Sequence, residues 1–106
     1  MIIVGGENVH GADVEAVLRS HPAITDAAAI GIPATGLREV LGEMIRAYLV
    51  SSEGETVLPD LKRHCHKCLP SYAIPHEWVV VDKLPRNASG KISGKELFES
   101  GPLINP

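Results

Sequence analysis

Leu84-Pro85-Arg86-Asn87-Ala88-Ser89-Gly90-Lys91-Ile92-Ser93 is the stretch on which the reading of this chain turns. Pro85 stiffens the approach to a loop and Gly90 allows a sharp change of direction. Ser93-Gly94-Lys95-Glu96 has the form of a capping box, with Ser93 as N-cap, Glu96 three residues on, and apolar Leu97 and Phe98 after it. Free N–H groups and the dipole of such a helix start favour anions. Lys91, with Ser89 and Gly90 supporting its loop, is therefore expected beside a site for a phosphate or carboxylate. Taken alone, an exposed lysine after Ser-Gly is usually a solvated turn residue. The first glycine of a Walker motif is not in place, which excludes a P-loop nucleotidase.

Upstream of the loop, Pro70 and Pro75 bracket a turn, and residues 77–81 read as a Val-rich strand expected at the centre of a sheet. Residues 56–69 read as a helix with Leu58, Leu61, Cys65, Cys68 and Leu69 along one face, and Pro59 is tolerated because it falls in the first turn. Residues 43–50 alternate: Ile45, Ala47 and Leu49 on one face, Met44, Arg46, Tyr48 and Val50 on the other. Beyond a polar connector over 34–41, residues 25–32 form a strand through Ala27-Ala28-Ala29, whose small side chains predict close packing of a helix. That helix spans 11–20, with Val14, Val17 and Leu18 on one stripe and Pro22 ending it. Residues 1–4 and 7–9 flank Gly5-Gly6 as a hairpin. A last helix is expected over 93–99 and a flexible tail over 101–106. The order predicts a small α+β domain, with an N-terminal two-stranded hairpin and a roughly three-stranded sheet flanked by helices.

The 106 residues suffice for one small domain with a modest core, built from Val, Ile, Leu and Ala because aromatic residues make up only 4%. A formal charge of −3 gives no electrostatic footprint for nucleic acid or an anionic membrane. No apolar run is long enough to span a bilayer. Cys65 and Cys68 do not make a disulfide framework, so a reduced, cytoplasmic setting is expected.

His64-Cys65-His66-Lys67-Cys68 is the one stretch with metal-ligating residue types in sequence. Zinc takes about four N or S ligands, and no second Cys/His pair is spaced to complete the set. Cys65 and Cys68 also continue the apolar stripe, where free cysteine behaves as a small hydrophobe; no metal is expected. Glu7, Glu15 and Glu43 have no partner carboxylate for acid–base work, and His10 and His21 read as ordinary surface or loop residues.

Five segments in order give a more specific reading. They are Ile2-Ile3-Val4-Gly5-Gly6-Glu7-Asn8-Val9, Asp13-Val14-Glu15, His21-Pro22-Ala23-Ile24-Thr25-Asp26-Ala27-Ala28, Gly42-Glu43, and the opening Leu84–Ile92 loop. Together they resemble the C-terminal domain of the acyl-adenylate-forming enzymes: acyl-CoA synthetases, peptide-synthetase adenylation domains and luciferase. The resemblance covers roughly residues 1 to 98. It implies an enzyme that activates a carboxylate with Mg-ATP to an acyl-adenylate and passes the acyl group to the thiol of coenzyme A or of a carrier-protein pantetheine. It further implies that residues 1–100 form the lid that rotates on a large N-terminal adenylation domain, which binds ATP, magnesium and the acid. Lys91 then matches the catalytic lysine of adenylation, and Gly5, Gly6 and Glu7 the hairpin that faces the pantetheine arm. Gly11, Ile74 and Gly94 depart from the family pattern, standing where proline, lysine and arginine are common.

On this resemblance the chain is expected to be inactive alone, beginning at the hinge and working with an N-terminal adenylation domain in cis. The alternative is a free-standing, non-catalytic module that docks in trans on a separate adenylation domain or on an acyl carrier protein. A zinc-binding interaction domain is a distant third.

Overall fold

The computed structural model describes residues 1–34, 42–92 and 97. The connector over 35–41, the capping box at 93–96, the body of the expected last helix and the tail lie outside the described residues.

Strands β1 (Ile2–Val4) and β2 (Glu7–Val9) pair antiparallel, with Val4 opposite Glu7. The two-residue loop between them has φ of +56° at Gly5 and +88° at Gly6. Positive φ at both central residues is the type I′ signature whose twist matches that of the strands. The hairpin is amphipathic: Ile2, Val4 and Val9 are buried, while Ile3 is half exposed.

Helix α1 (Gly11–Arg19) follows, then β3 (Ile24–Pro33) and β4 (Glu43–Ser51), which pair antiparallel. A 3-10 turn at Gly54–Val57 leads into α2 (Leu58–Cys68), with Pro59 in its first turn. Strand β5 (Glu77–Val80) then pairs parallel to β4. A parallel neighbour demands a long crossover, and α2 supplies it. The sheet order is β3-β4-β5. Strand β4 is therefore central and β5 lies at an edge, which corrects the expected central position of the Val-rich strand. Val79 and Val81 pack on one face while Trp78 packs on the other. A short edge strand covered on both faces carries the same apolar pattern as a central one.

The alternation read along β4 is the one the sheet uses. On the first face Ile45, Ala47 and Leu49 join Ala27 and Ala29 of β3, beneath Val14 and Leu18 of α1, Leu61 and Cys65 of α2, and the hairpin's Ile2, Val4 and Val9. Fully burying Leu18 or Leu61 contributes about 1.5–3 kcal/mol each. The alanines do let a helix approach: α1 packs on β3, the Glu15 carboxylate accepts the Ala29 N–H at 2.9 Å, and Arg19 donates to the Ala27 carbonyl at 3.0 Å. These contacts cover backbone groups at the outer edge of β3, which would otherwise invite another strand.

The second face is buried too. Ala28 and Tyr48 lie under Val81, Leu84 and Leu97, with Ile30, Val50, Val79 and Ile92 around them. The chain after β5 is thus a strap across the sheet. The Tyr48 hydroxyl donates to the Leu97 carbonyl at 3.0 Å and accepts from Arg46, whose Nε also pairs with Glu77 at 2.7 Å. Burial alone would lower the Arg46 pKa, but the hydrogen bonds to Tyr48 and Glu77 outweigh it and hold the guanidinium more firmly protonated.

Two further expectations change. Cys68 is exposed rather than part of the apolar stripe. It is the last helical residue; the chain turns extended at Leu69, and Leu69 takes the packing position instead. His21 is not a surface residue but is buried. Its Nδ1 accepts the Ala23 N–H at 3.1 Å, so Nε2 carries the proton toward Asp60, 2.6 Å away on α2. Beside it, Ser20 Oγ spends its proton on the Val17 carbonyl and accepts from His64 Nε2 at 2.7 Å. Together these bonds tie the end of α1 to α2.

Candidate functional site

The strap carries the Arg86–Ile92 loop, closed by an antiparallel bridge between its two ends. Inside it, the Asn87 N–H donates to the Lys91 carbonyl at 2.8 Å and the Gly90 N–H to the Asn87 carbonyl at 2.9 Å. The Asn87 side chain does most of the internal work. Its Oδ1 accepts from the Ser89 N–H at 3.0 Å, the Ser89 hydroxyl at 2.8 Å and the Lys91 N–H at 3.0 Å. Asparagine suits such a turn because its short side chain reaches backbone donors two to four residues ahead. Gly90, at φ +85°, takes the left-handed step that turns the chain back into Lys91.

Lys91 is exposed on the returning stem of this closed loop, its carbonyl opposite the Asn87 N–H. Among the described residues its ammonium has no hydrogen-bond or ion-pair partner. It borders a cleft of about 340 Å³ at the outer edge of β3, lined also by Glu15, Arg19, Arg86 and Ile92. The other charges there are matched: Arg19 with Glu15 at 3.8 Å, and Arg86 with Asp26. Among the described residues, Lys91 is the unmatched cation at the mouth. Such a group can stabilise negative charge on an incoming phosphate or carboxylate without first breaking an existing pair.

The residues singled out in the sequence fall in two places. Ser89, Gly90 and Lys91 share the strap loop at the outer edge of β3, whose Ile92 end packs on the second face. Gly5, Gly6 and Glu7 are exposed at the hairpin tip, on the element that packs over the first face. A Cβ built at Gly6 meets nothing within 4 Å, so the space above that turn is open. The hairpin is held to β4 by the Ile3 N–H donating to the Glu43 carboxylate at 2.9 Å and by a bridge from Val4 to Gly42. The helix start expected to favour an anion beside Lys91 lies outside the described residues; the order that is visible comes from Asn87 and Arg86. Neither was singled out from sequence. Asn87-x-Ser89 is a local turn signal, but nothing local marks the pairing of Arg86 with Asp26, sixty residues away.

The Cys/His stretch on α2 takes other roles. Burial, with a smaller contribution from nearby Cys68, pushes the Cys65 thiol up to about 11. His64 is engaged with Ser20. Among the described residues no group of three or more His, Cys, Asp or Glu is arranged to hold a metal ion, and no helix is long and apolar enough to cross a membrane.

Comparison with known proteins places this arrangement. The profile of the AMP-binding enzyme C-terminal domain matches residues 13–91. A fatty acid–[acyl-carrier-protein] ligase of Streptomyces coeruleorubidus is 38% identical over 97 residues, covering 91% of this chain and 18% of the relative. The solved Mycobacterium tuberculosis fatty acyl CoA synthetase superposes with a TM-score of 0.86 at 33% identity, over 100% of this chain and 20% of the other. The o-succinylbenzoate CoA synthetase of Bacillus subtilis, solved with the acyl-adenylate intermediate OSB-AMP, gives a TM-score of 0.82 at 40% identity, over 91% of this chain and 19% of that one. The chain spans about a fifth of the length of these relatives.

Proposed function

Because the chain belongs to the family of AMP-binding enzyme C-terminal domains, we propose that it is the mobile lid of an ATP-dependent carboxylate–thiol ligase of the acyl-CoA synthetase kind. In the first half-reaction a carboxylate oxygen attacks the α-phosphorus of ATP, an acyl-phosphate bond forms, and pyrophosphate leaves. Negative charge is shared between attacking and departing oxygens, and Lys91 stabilises that charge while aligning the two partners. In the second, a thiolate attacks the acyl carbon, a thioester forms and AMP leaves. The Gly5-Gly6-Glu7 turn, with open space above it, lines the path of the pantetheine arm.

The observation that carries this reading is the Lys91 ammonium, unmatched among the described residues, on a loop closed by its own hydrogen bonds. The placement of the two turns supports the second half. The Lys91 loop stands at the β3 edge on a strap that packs on one face of the sheet, and the hairpin packs on the other, so one domain can serve two steps by turning over.

Lys91 suits the phosphate and carboxylate oxygens. The metal, with ATP and the acid, is assigned in this reading to an N-terminal adenylation domain that works with this chain in cis or in trans. Coenzyme A or a carrier-protein pantetheine is the acceptor; the relatives include ligases named for each.

A hybrid ligase tests this reading. In it the chain replaces the C-terminal domain of the B. subtilis o-succinylbenzoate CoA synthetase. The hybrid is expected to form o-succinylbenzoyl-CoA, while the 106-residue chain alone shows no ATP–pyrophosphate exchange. A hybrid no more active than the truncated N-terminal domain, or exchange by the isolated chain, would overturn it.

A further inference from the structure

Arg86 holds two partners at once. One guanidinium nitrogen pairs with the Asp26 carboxylate on β3. The other donates at 2.9 Å to the carbonyl of Gly90, the residue directly before Lys91. Asp26 is itself fixed, because its other oxygen accepts the Ala27 N–H at 2.9 Å on the outer edge of β3. The internal bonds of the loop set its shape, but a loop bridged only to itself can pivot on its two stems. The pair from Arg86 to Asp26 ties its side to the sheet, and Ile92 packs its end onto the apolar second face. A flat guanidinium can serve a carboxylate and a carbonyl together, which the single ammonium of lysine does poorly.

We propose that Arg86 and Asp26 are positioning residues for Lys91: their ion pair, with the bond from Arg86 to the Gly90 carbonyl, fixes the loop on β3 and sets where the ammonium is presented. This rests on the reading of Lys91 as the adenylation lysine. The pair has a second effect. By neutralising Arg86 it leaves Lys91 as the charge, unmatched among the described residues, that an incoming anion meets. Both side chains are partly exposed, at 43% and 21%. Such pairs contribute little to global stability, so their loss should move the loop without unfolding the domain.

The test uses Asp26→Asn, Arg86→Ala and Lys91→Ala in the hybrid ligase, with thermal unfolding of the same substitutions in the 106-residue chain as a check on folding. Asp26→Asn is the gentler variant because the amide oxygen still accepts from Ala27. Misplacing a charge-stabilising group by about 1 Å can cost about a hundredfold. Asp26→Asn and Arg86→Ala are each expected to lower kcat for adenylation by about 10- to 100-fold. KM for ATP should stay within about twofold, and thioester formation from supplied acyl-adenylate should be unchanged. In a Lys91→Ala background Asp26→Asn should cost less than about twofold more, because a residue that acts through Lys91 has nothing left to position. If Lys91→Ala cripples adenylation but Asp26→Asn and Arg86→Ala do not, the positioning role is wrong and the lysine's role stands. A full additional loss from Asp26→Asn without Lys91 would also overturn positioning, by showing a general structural effect. If Lys91→Ala leaves adenylation intact, the reading beneath the proposal fails.

Discussion

Replacing Asn87 by alanine removes the single oxygen around which the Lys91 loop is folded. Asn87 Oδ1 accepts two backbone N–H groups, from Ser89 and Lys91, and the Ser89 hydroxyl. An intramolecular hydrogen bond contributes about 0.5–1.5 kcal/mol net. The loop is exposed, so water takes over part of each lost bond and the low end of that range applies. Two backbone bonds then amount to about 1–2 kcal/mol of local order, a factor of about 5–30 in the loop-opening equilibrium. Native-state amide hydrogen exchange on the 106-residue chain reads this residue by residue. Protection at Ser89 and Lys91 should fall by about 5- to 30-fold in Asn87→Ala, while Leu49 in the central strand keeps its protection. Asn87→Asp keeps an acceptor in place and should retain most of the protection. Unchanged exchange at Lys91 in Asn87→Ala, or an equal loss throughout β3 and β4, would refute the view that this side chain preorganises the loop.

Two other outcomes follow from the geometry. With its thiol pushed up to about 11, against an ordinary 9.0, Cys65 should hold about a hundredfold less thiolate than an unperturbed thiol at pH 8. Native protein should therefore show one fast thiol with a disulfide reagent, lost in Cys68→Ser, and a second only on unfolding. The hydrogen bond from His21, and a second from Arg63, hold the Asp60 carboxyl below its usual 3.8. A lowered carboxyl pKa stabilises the fold above the unfolded value, and the contribution is lost as pH falls through the folded one. Asp60→Asn should thus be less stable than the parent at pH 7 by urea unfolding, with the gap closing below about pH 3.8; a gap that stays constant to pH 2 would contradict the clasp.

What the sequence disclosed divides along physical lines. Face patterns were legible: the alternation in β4, the alanines of β3 and the stripe on α1 each report which side of an element meets apolar neighbours. The Gly5-Gly6 turn was legible because a two-residue hairpin loop needs positive φ at both positions. Lateral position was not. Side-chain alternation says nothing about whether a strand has one neighbour or two, and β5, covered on both faces, therefore read as central. Partners distant in the chain were hidden as well. His21 looked like a loop residue because Asp60, which satisfies it in the interior, is 39 residues on. Glu15 and Glu43 showed no partner in the sequence because the donors they accept from, the Ala29 and Ile3 N–H groups, become available only once β3 is an edge and the hairpin docks on β4. Lys91 was proposed from motif order, whereas the groups that hold its loop, Asn87 and Arg86, emerged only from the folded geometry.

Lys91→Ala in the hybrid ligase probes the central claim most directly, with the two half-reactions measured separately. ATP–pyrophosphate exchange should fall by about 100-fold or more, as expected for loss of a group that stabilises transition-state charge. Formation of thioester from supplied acyl-adenylate should stay within about twofold of the parent, because the proposal assigns that step to the hairpin face. Equal loss of both half-reactions, or exchange that survives without the lysine, would contradict the role given to Lys91.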